Sequence, residues 1–544
     1  MLLRLTFNKK SIDRLKSRLA SFASEKTVAF TSLFLAVAVT ILAYKWDVIV
    51  TYGDAESHLN IAKRVVDSLT PSFAQLGGIW LPLPHLLLIP FVSNDFLWRT
   101  GLAGSIVSGI AFVVSSIFIY RLTLLLTGRT SAALVAAAVF MTNPNVLYLQ
   151  TTPMTELLLI VFFILSTYYA VRYLKNDQDL PALLFSALFT FCSILTRYEG
   201  WFLGVFIVLA LLFKELDLPG ARAHFLSSIT AFIRNGWPRL KGTIVLFSTL
   251  AFFGIFLWMA WDYIILGDPL YFTDSPYSAK SQQKGFLAVG HLPAYHDFLH
   301  AFSYYFFTSA VNVGVILFLL SLVGFFLYAR NKEELARLSV ALPFLSIFVF
   351  HVFTLFVGQS IIFIPGMTPT EYGTNLFNVR YGVMMLPFAA VFFGYLFYRS
   401  NTTTKGVLCL CLGLQFLLFA TGYSRIVTLA DGLNGLSSAE RPPAEQWMVR
   451  NYDSGLVLVD DFARTISIVR SSIPMENIIY VGNKPYWEES LKQPEKHARW
   501  IVMNESDAVW QSIYKNDVLR AALFHHFDEV YSQSGVKIYK RKQT

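Results

Sequence analysis

The run Thr27-Val-Ala-Phe-Thr-Ser-Leu-Phe-Leu-Ala-Val-Ala-Val-Thr-Ile-Leu-Ala-Tyr44, followed by Gly53-Asp54-Ala55-Glu56-Ser57-His58-Leu59, decides how this chain reads. The first part is long enough to cross a bilayer, which takes about 20 apolar residues. The second part sets two acids and an imidazole just beyond it. A carboxylate beside hydrocarbon is costly unless something uses or compensates it, so the acidic run is a candidate functional site.

Outward from this run the same texture continues. Hydrophobic residues make up 55% of the chain and charged residues only 15%, with 49 Phe. Only helices or closed barrels satisfy their backbone in lipid, and the runs are too long and too uniformly apolar for the alternating pattern of barrel strands. The fold class expected is an α-helical polytopic membrane protein with a small C-terminal α/β domain outside the membrane. Transmembrane helices are expected near 27–45, 100–120, 131–148, 156–172, 180–196, 201–213, 242–265, 303–329, 337–358, 379–398 and 406–423. The pair 180–196 and 201–213 falls short of a full span and reads as a tilted helix and a partial one. The basic stretch 1–26 precedes a segment too long for a signal-peptide core, which reads as a retained anchor.

The net charge of +9 is a matter of topology rather than of nucleic acid. Arg121 and Arg129, Arg172 and Lys175, Arg234, Arg239 and Lys241, Arg330 and Lys332, and Arg399 and Lys405 fall on the side of the basic leader, while the opposite loops are poor in Lys and Arg. By the positive-inside rule the N-terminus is cytoplasmic, and the acidic run and the C-terminal residues are extracytoplasmic. The localisation expected is the plasma (inner) membrane. Cys192, Cys409 and Cys411 all sit in apolar segments, which leaves no disulfide framework and no thiolate metal site. The chain divides into a leader 1–26, a membrane domain 27–425 with exterior loops 46–98 and 266–302, and an exterior domain 431–544. In the last, Gly455–Val459 and Asn477–Val481 read as buried strands, and Ala444–Asn451 and Asp507–Phe524 as helices. Asn504-Glu505-Ser506 is a sequon on that side, a triplet frequent by chance.

Five exterior features carry polar chemistry. The first loop holds Asp54, Glu56 and His58, then Lys63 and Arg64, on an amphipathic helix from Ala55 to Leu69. Asp54 at or near the N-cap of that helix satisfies free backbone N–H groups, which accounts for one acid but not for Glu56 and His58. Glu156, in Thr152-Pro153-Met154-Thr155-Glu156, follows ordinary helix-start grammar or helps to bind a divalent cation or orient an acceptor. Arg197, in Arg197-Tyr198-Glu199-Gly200-Trp201, forms an interfacial ion pair or holds a lipid phosphate. Arg380, beside Tyr381 at the mouth of the tenth span, breaks the positive-inside trend. It either snorkels to the interface or offers its planar donor fork to a departing phosphate. The loop Gly267–His300, with Tyr277 and Lys280 among its polar residues, is expected to be a flap over substrate. Its histidines do not match a tight zinc motif.

Together these pieces resemble the GT-C superfamily of integral-membrane glycosyltransferases, nearest to the protein O-mannosyltransferases and the lipid A aminoarabinose transferases. The resemblance implies that Asp54, with Glu56 as neighbour, corresponds to the first-loop catalytic acid. The pattern here is Asp-Ala-Glu rather than adjacent acids, which leaves open which carboxylate is the base. Arg380 is similar to the phosphate-binding Arg near the start of a late span, with Arg197 and Glu156 as weaker matches. Family members take sugar from a polyprenyl-phosphate carrier on the extracytoplasmic side, commonly with inversion. The expected partners are a polyprenyl-phosphate sugar donor, membrane lipids, and an acceptor glycan, lipid or protein, with no nucleic acid. Substrate contacts are expected from His58, Lys63, Glu156, Arg197, Tyr277, Lys280, Arg380 and Tyr381. A divalent cation is left open, since Asp54 and Glu156 supply hard oxygen ligands. The competing class is a secondary transporter or lipid flippase, although transporters place coupling residues near the midplane in repeated halves, whereas here the charges gather at one rim.

Overall fold

The computed structural model describes residues 9–216, 237–275, 278–288, 292–331, 337–364, 366–368, 376–439, 441–505 and 507–543. Tyr277, Arg234, His291, Lys332 and Ser506 lie outside these residues. The chain forms two compact units. One holds Met1–Ala43, Ser108–Thr151 and Thr155–Leu436; the other holds Tyr44–Val107, Thr152–Met154 and Ser437–Thr544. The first loop thus groups with the C-terminal residues rather than with the membrane helices it was read with.

The first unit is helical. Among the described residues seven helices are long and apolar enough to cross a membrane, or eight if one bent pair counts as a span. The chain is an integral membrane protein. Helix Glu156–Lys175 packs on Leu180–Ile194, Glu199–Leu216 on Arg337–Phe356, and Leu386–Arg399 on both Val315–Arg330 and Thr130–Met141. Small residues permit these approaches: a Cβ on Gly324 would sit 2.0 Å from the Phe392 carbonyl oxygen. Ser166 and Thr190 add a hydrogen bond between neighbouring helices at 2.6 Å. Such small and hydroxylated contacts join helices where lipid supplies no hydrophobic drive.

Two expected spans are broken, and the breaks meet. The run 131–148 is helical only over Thr130–Met141; Pro144 then opens a separate short helix, Pro144–Leu149, capped by the Asn143 side chain. The run 303–329 divides into Phe298–Val313 and Val315–Arg330, bent by 110° at Gly314, which adopts φ +97°. Breaking a helix in an apolar interior frees backbone groups that need partners. Asn143 and Asn145 supply them by donating to the Asn312 carbonyl at 2.9 and 3.0 Å. Asn312 in turn donates to the carbonyl of Val379 at 2.7 Å.

The second unit is built on a five-stranded sheet: β1 (Val457–Leu458), β2 (Ile478–Ile479), β3 (Trp500–Asn504), β4 (Phe527–Gln533) and β5 (Val536–Arg541), in the order β2-β1-β3-β5-β4. β1 runs parallel to β2 and β3, and β5 antiparallel to β3 and β4. Ser534 and Gly535 close the β4–β5 hairpin, both with positive φ, as a tight two-residue turn requires. Leu458, Ile501, Met503, Leu523 and Tyr539 form the core, and Leu69 of the first loop packs against it. The expected helix over 507–524 is divided at Asn516, whose side chain caps the helix Asp517–His526.

Asn143→Leu should lower the apparent melting temperature in detergent, because each carbonyl stripped of its partner costs about 1–3 kcal/mol. Gly242→Ala, where a Cβ meets nothing within 4 Å, is the control and should melt as the native chain does.

Candidate functional site

In the second unit the acidic run opens the helix Gly53–Val66, with Asp54 and Glu56 in its first turn and Lys63 and Arg64 in its last. That arrangement suits the helix dipole. The N-cap is Tyr52, with no side-chain cap bond, so Asp54 does not hold the cap position. Instead the start of the helix is fixed by backbone: Gly53 N–H donates to Ser437 O at 3.0 Å and Ala439 N–H to Thr51 O at 2.8 Å.

The carboxylates of this turn meet residues 464–469. Arg464 Nη2 donates to Asp54 Oδ1 at 3.1 Å, and the Asp54 side chain keeps 31% of its surface exposed. The guanidinium lies so close over Gly53 that a Cβ there would overlap it. Glu56 Oε1 accepts from Ser467 Oγ at 2.8 Å and from Val469 N–H at 3.3 Å. Burial pushes the Glu56 carboxyl above its usual range, against the opposing pull of these bonds and of Arg464. Further along the helix, Arg64 pairs with Asp461 and lies 3.8 Å over the Tyr480 ring.

Lys63 is buried and paired with Asp67 at 2.9 Å and Asp95 at 2.6 Å. Its charge is therefore matched within the loop. His58 is buried beside His85, Nδ1 to Nε2 2.9 Å, and its ring centroid lies 4.8 Å from that of Trp80. Sequence reasoning missed His85 and Trp80, which lie on the same loop, and Arg464, Ser467 and Val469, which lie some 410 positions away.

In the first unit the structure gathers Glu156, Arg197, Arg380 and Tyr381. Arg380 is 2% exposed. Its Nε donates to Glu156 Oε1 at 3.1 Å, and its Nη1 lies 3.8 Å from Asp431 Oδ2. Arg197 reaches the same Glu156 oxygen at 3.4 Å, Thr155 Oγ1 at 2.8 Å and Glu199 at 2.8 Å. Both guanidinium carbons lie 5.1 Å from the Tyr381 ring centre. His351 stacks between Tyr305 and Tyr381, with centroids at 4.4 and 5.3 Å, and lies 3.5 Å from Glu199. Two guanidinium groups are thus set among three carboxylates, and Glu156 Oε2 has no hydrogen-bond partner among the described residues. Asp431 and His351 were not singled out from sequence, though an ionisable residue inside an apolar helix, as His351 is, is itself a signal. Lys280 is exposed on the short helix Ala279–Ala288. Among the described residues no group of three or more His, Cys, Asp or Glu side chains is placed to hold a metal ion.

Residues 96–234 match the family model described as dolichyl-phosphate-mannose-protein mannosyltransferase. No curated protein matches the chain. Among solved structures, ArnT from Cupriavidus metallidurans bound to undecaprenyl phosphate superposes with a TM-score of 0.54 at 10% identity, covering 93% of this chain and 97% of that one. ArnT in the apo state gives 0.54 at 11% identity, with 94% and 98% covered. The Archaeoglobus fulgidus oligosaccharyltransferase tethered with an acceptor peptide gives 0.49 at 12% identity, with 95% and 74% covered. At these identities the likeness is one of fold: the chain shares the architecture of ArnT over nearly its whole length.

The helix Pro443–Asn451 of the second unit carries Glu445, whose carboxyl burial pushes up to about 7; nearby Arg470 opposes this and Glu56 adds to it. The unfolded chain releases this proton near pH 4.5, whereas the folded one keeps it until about pH 7. Stability from this residue therefore falls as pH rises across that window and is level above it. Glu445→Gln should flatten the decline in melting temperature between about pH 5 and about pH 7.5; an unchanged slope would rule the residue out as its source.

Proposed function

We propose that the chain is a glycosyltransferase that moves a sugar from a polyprenyl-phosphate carrier to an acceptor hydroxyl on the extracytoplasmic side of the membrane, with inversion at the anomeric carbon. The fold supports the reaction class, and the family match over 96–234 supports a phosphate-linked polyprenyl donor. The observation that carries the reading is Asp54: a partly exposed carboxylate in the first turn of the helix that follows the first span, paired with Arg464.

Asp54 takes the proton of the acceptor hydroxyl as its oxygen attacks the anomeric carbon. The bond from that carbon to the phosphate oxygen breaks, and the electron pair leaves with the polyprenyl phosphate. Glu56, with one oxygen committed to Ser467 and Val469, positions the helix start rather than taking the proton. Within the first unit, Arg380, helped by Arg197, offers its guanidinium to a polyprenyl phosphate, whose charge donors fixed in a dry site stabilise best. To do so Arg380 shares its fork between that phosphate and Glu156. The basic leader and the loops on its side face the cytoplasm of a cell whose inner membrane holds the chain.

Asp54→Asn should fold normally and lose about 10²–10⁴-fold in turnover, measured as sugar transferred to extracted acceptor; near-native transfer would remove Asp54 from the role of base. Arg380→Lys keeps the charge and loses the fork, so donor KM should rise or kcat fall; unaltered kinetics would count against a phosphate contact. Mass spectrometry of the purified protein should find a co-purifying polyprenyl-phosphate sugar. Uptake of a labelled lipid into proteoliposomes with no glycosylated product would favour a transporter or flippase instead.

A further inference from the structure

Beside residues 467–470, within the second unit, lies an open cavity of about 360 Å³ that the reaction above does not use. Its wall includes Arg99, Glu445, Arg450, Val469 and Arg470. The three guanidinium groups are held differently. Arg99 donates to the carbonyls of Val469 at 3.3 Å and Ile473 at 3.1 Å, which orient it, and Asp95 and Asp67 lie near enough to act on its charge. Arg470 forks onto Asp47 at 2.9 and 3.2 Å. Burial alone would raise the Asp47 carboxyl, but Arg470 and Arg441 outweigh it and hold that acid below its usual range. Arg450 is exposed, and its side chain meets no partner among the described residues. Glu445 is 7% exposed, and its Oε2 has no hydrogen-bond partner among the described residues.

The cavity therefore presents three guanidinium groups, a nearby carboxylate shared by Arg470 and Arg441, and a desolvated Glu445 oxygen with no hydrogen-bond partner among the described residues. A buried polar atom of that kind is expensive unless a ligand or water meets it. An oxyanion answers each feature. A tetrahedral phosphate has enough acceptor oxygens for the open fork of Arg450 and for the hydrogen bond of a protonated Glu445, beside the charges of Arg99 and Arg470, whose forks are engaged elsewhere. A carboxylate would fill little of the space.

We propose that this cavity binds a phosphomonoester carried by the acceptor, either a phosphorylated glycan or the phosphorylated headgroup of a lipid. The assignment to the acceptor rests on the glycosyltransferase reading. It draws on one shared wall: Val469 lines the cavity, and its amide donates to Glu56.

The test uses the full-length protein in detergent, with inorganic phosphate as the probe and the thermal shift as readout. Phosphate should raise the melting temperature saturably. Arg450→Glu, at an exposed position where folding is safe, should raise the half-saturating concentration by about tenfold or more, and Arg450→Lys by less. Equal responses from the native chain and Arg450→Glu would overturn the site. Displacement of phosphate by glucose 6-phosphate supports a soluble glycan source. Displacement by phosphatidic acid in nanodiscs, and not by neutral phosphatidylcholine, supports a lipid headgroup. Saturating phosphate should also slow transfer by the native enzyme and spare Arg450→Glu; equal inhibition would overturn the link to the acceptor. The phosphate shift should survive in Asp54→Asn, so failure of the cavity and failure of Asp54 as base read out separately.

Discussion

A charge removed from water must be matched, and both units are organised around that demand. In the first unit Arg380 and Arg197 share Glu156, and the cluster extends to Asp431, Glu199 and His351. In the second, Asp54, Glu56, Lys63 and Arg64 radiate from one short helix, each to its own partner. Removing one member of a buried pair costs about 3–5 kcal/mol because the survivor stays desolvated. The neighbours of each candidate residue therefore decide its chemistry as much as its own type does. Asp54 keeps part of its surface exposed beside Arg464, while Glu56 accepts from Ser467 and Val469.

The membrane fold was legible because each span repeats one instruction, an apolar run that cannot satisfy its backbone except as a helix. What hid were the interruptions. Pro144 and Gly314 sit inside runs whose composition still reads as continuous, and only Asn143 and Asn312 hint that polar groups are wanted there. The Trp500–Met503 run carries a plain apolar strand signal, but its role as the centre of the sheet depends on the β4–β5 hairpin far along the chain. Strand pairs so distant leave no local trace.

For the site, the acids after the first span announced themselves, since an unmatched carboxylate at that place has few structural excuses. Their partners did not. Nothing in Arg464 or Ser467 read alone ties them to Asp54 and Glu56 across some 410 positions. Arg197 and Glu199 were read as a local pair, which they are, but the shared Glu156 and the stacked His351 belong to other helices. Lys63 is the opposite case. Its basic character invited a role with phosphate, while the acids that occupy it, Asp67 and Asp95, lie in the same loop.

The seam between Thr51–Gly53 and Ser437–Ala439 has a consequence for how the molecule is made. A ribosome emits Asp54 early and Arg464 410 positions later, at about 5–20 residues per second. For tens of seconds, on that order, the acidic turn waits without its backbone bonds and without Arg464. The turn is therefore completed only after the membrane helices up to Thr402–Ala420 have been made.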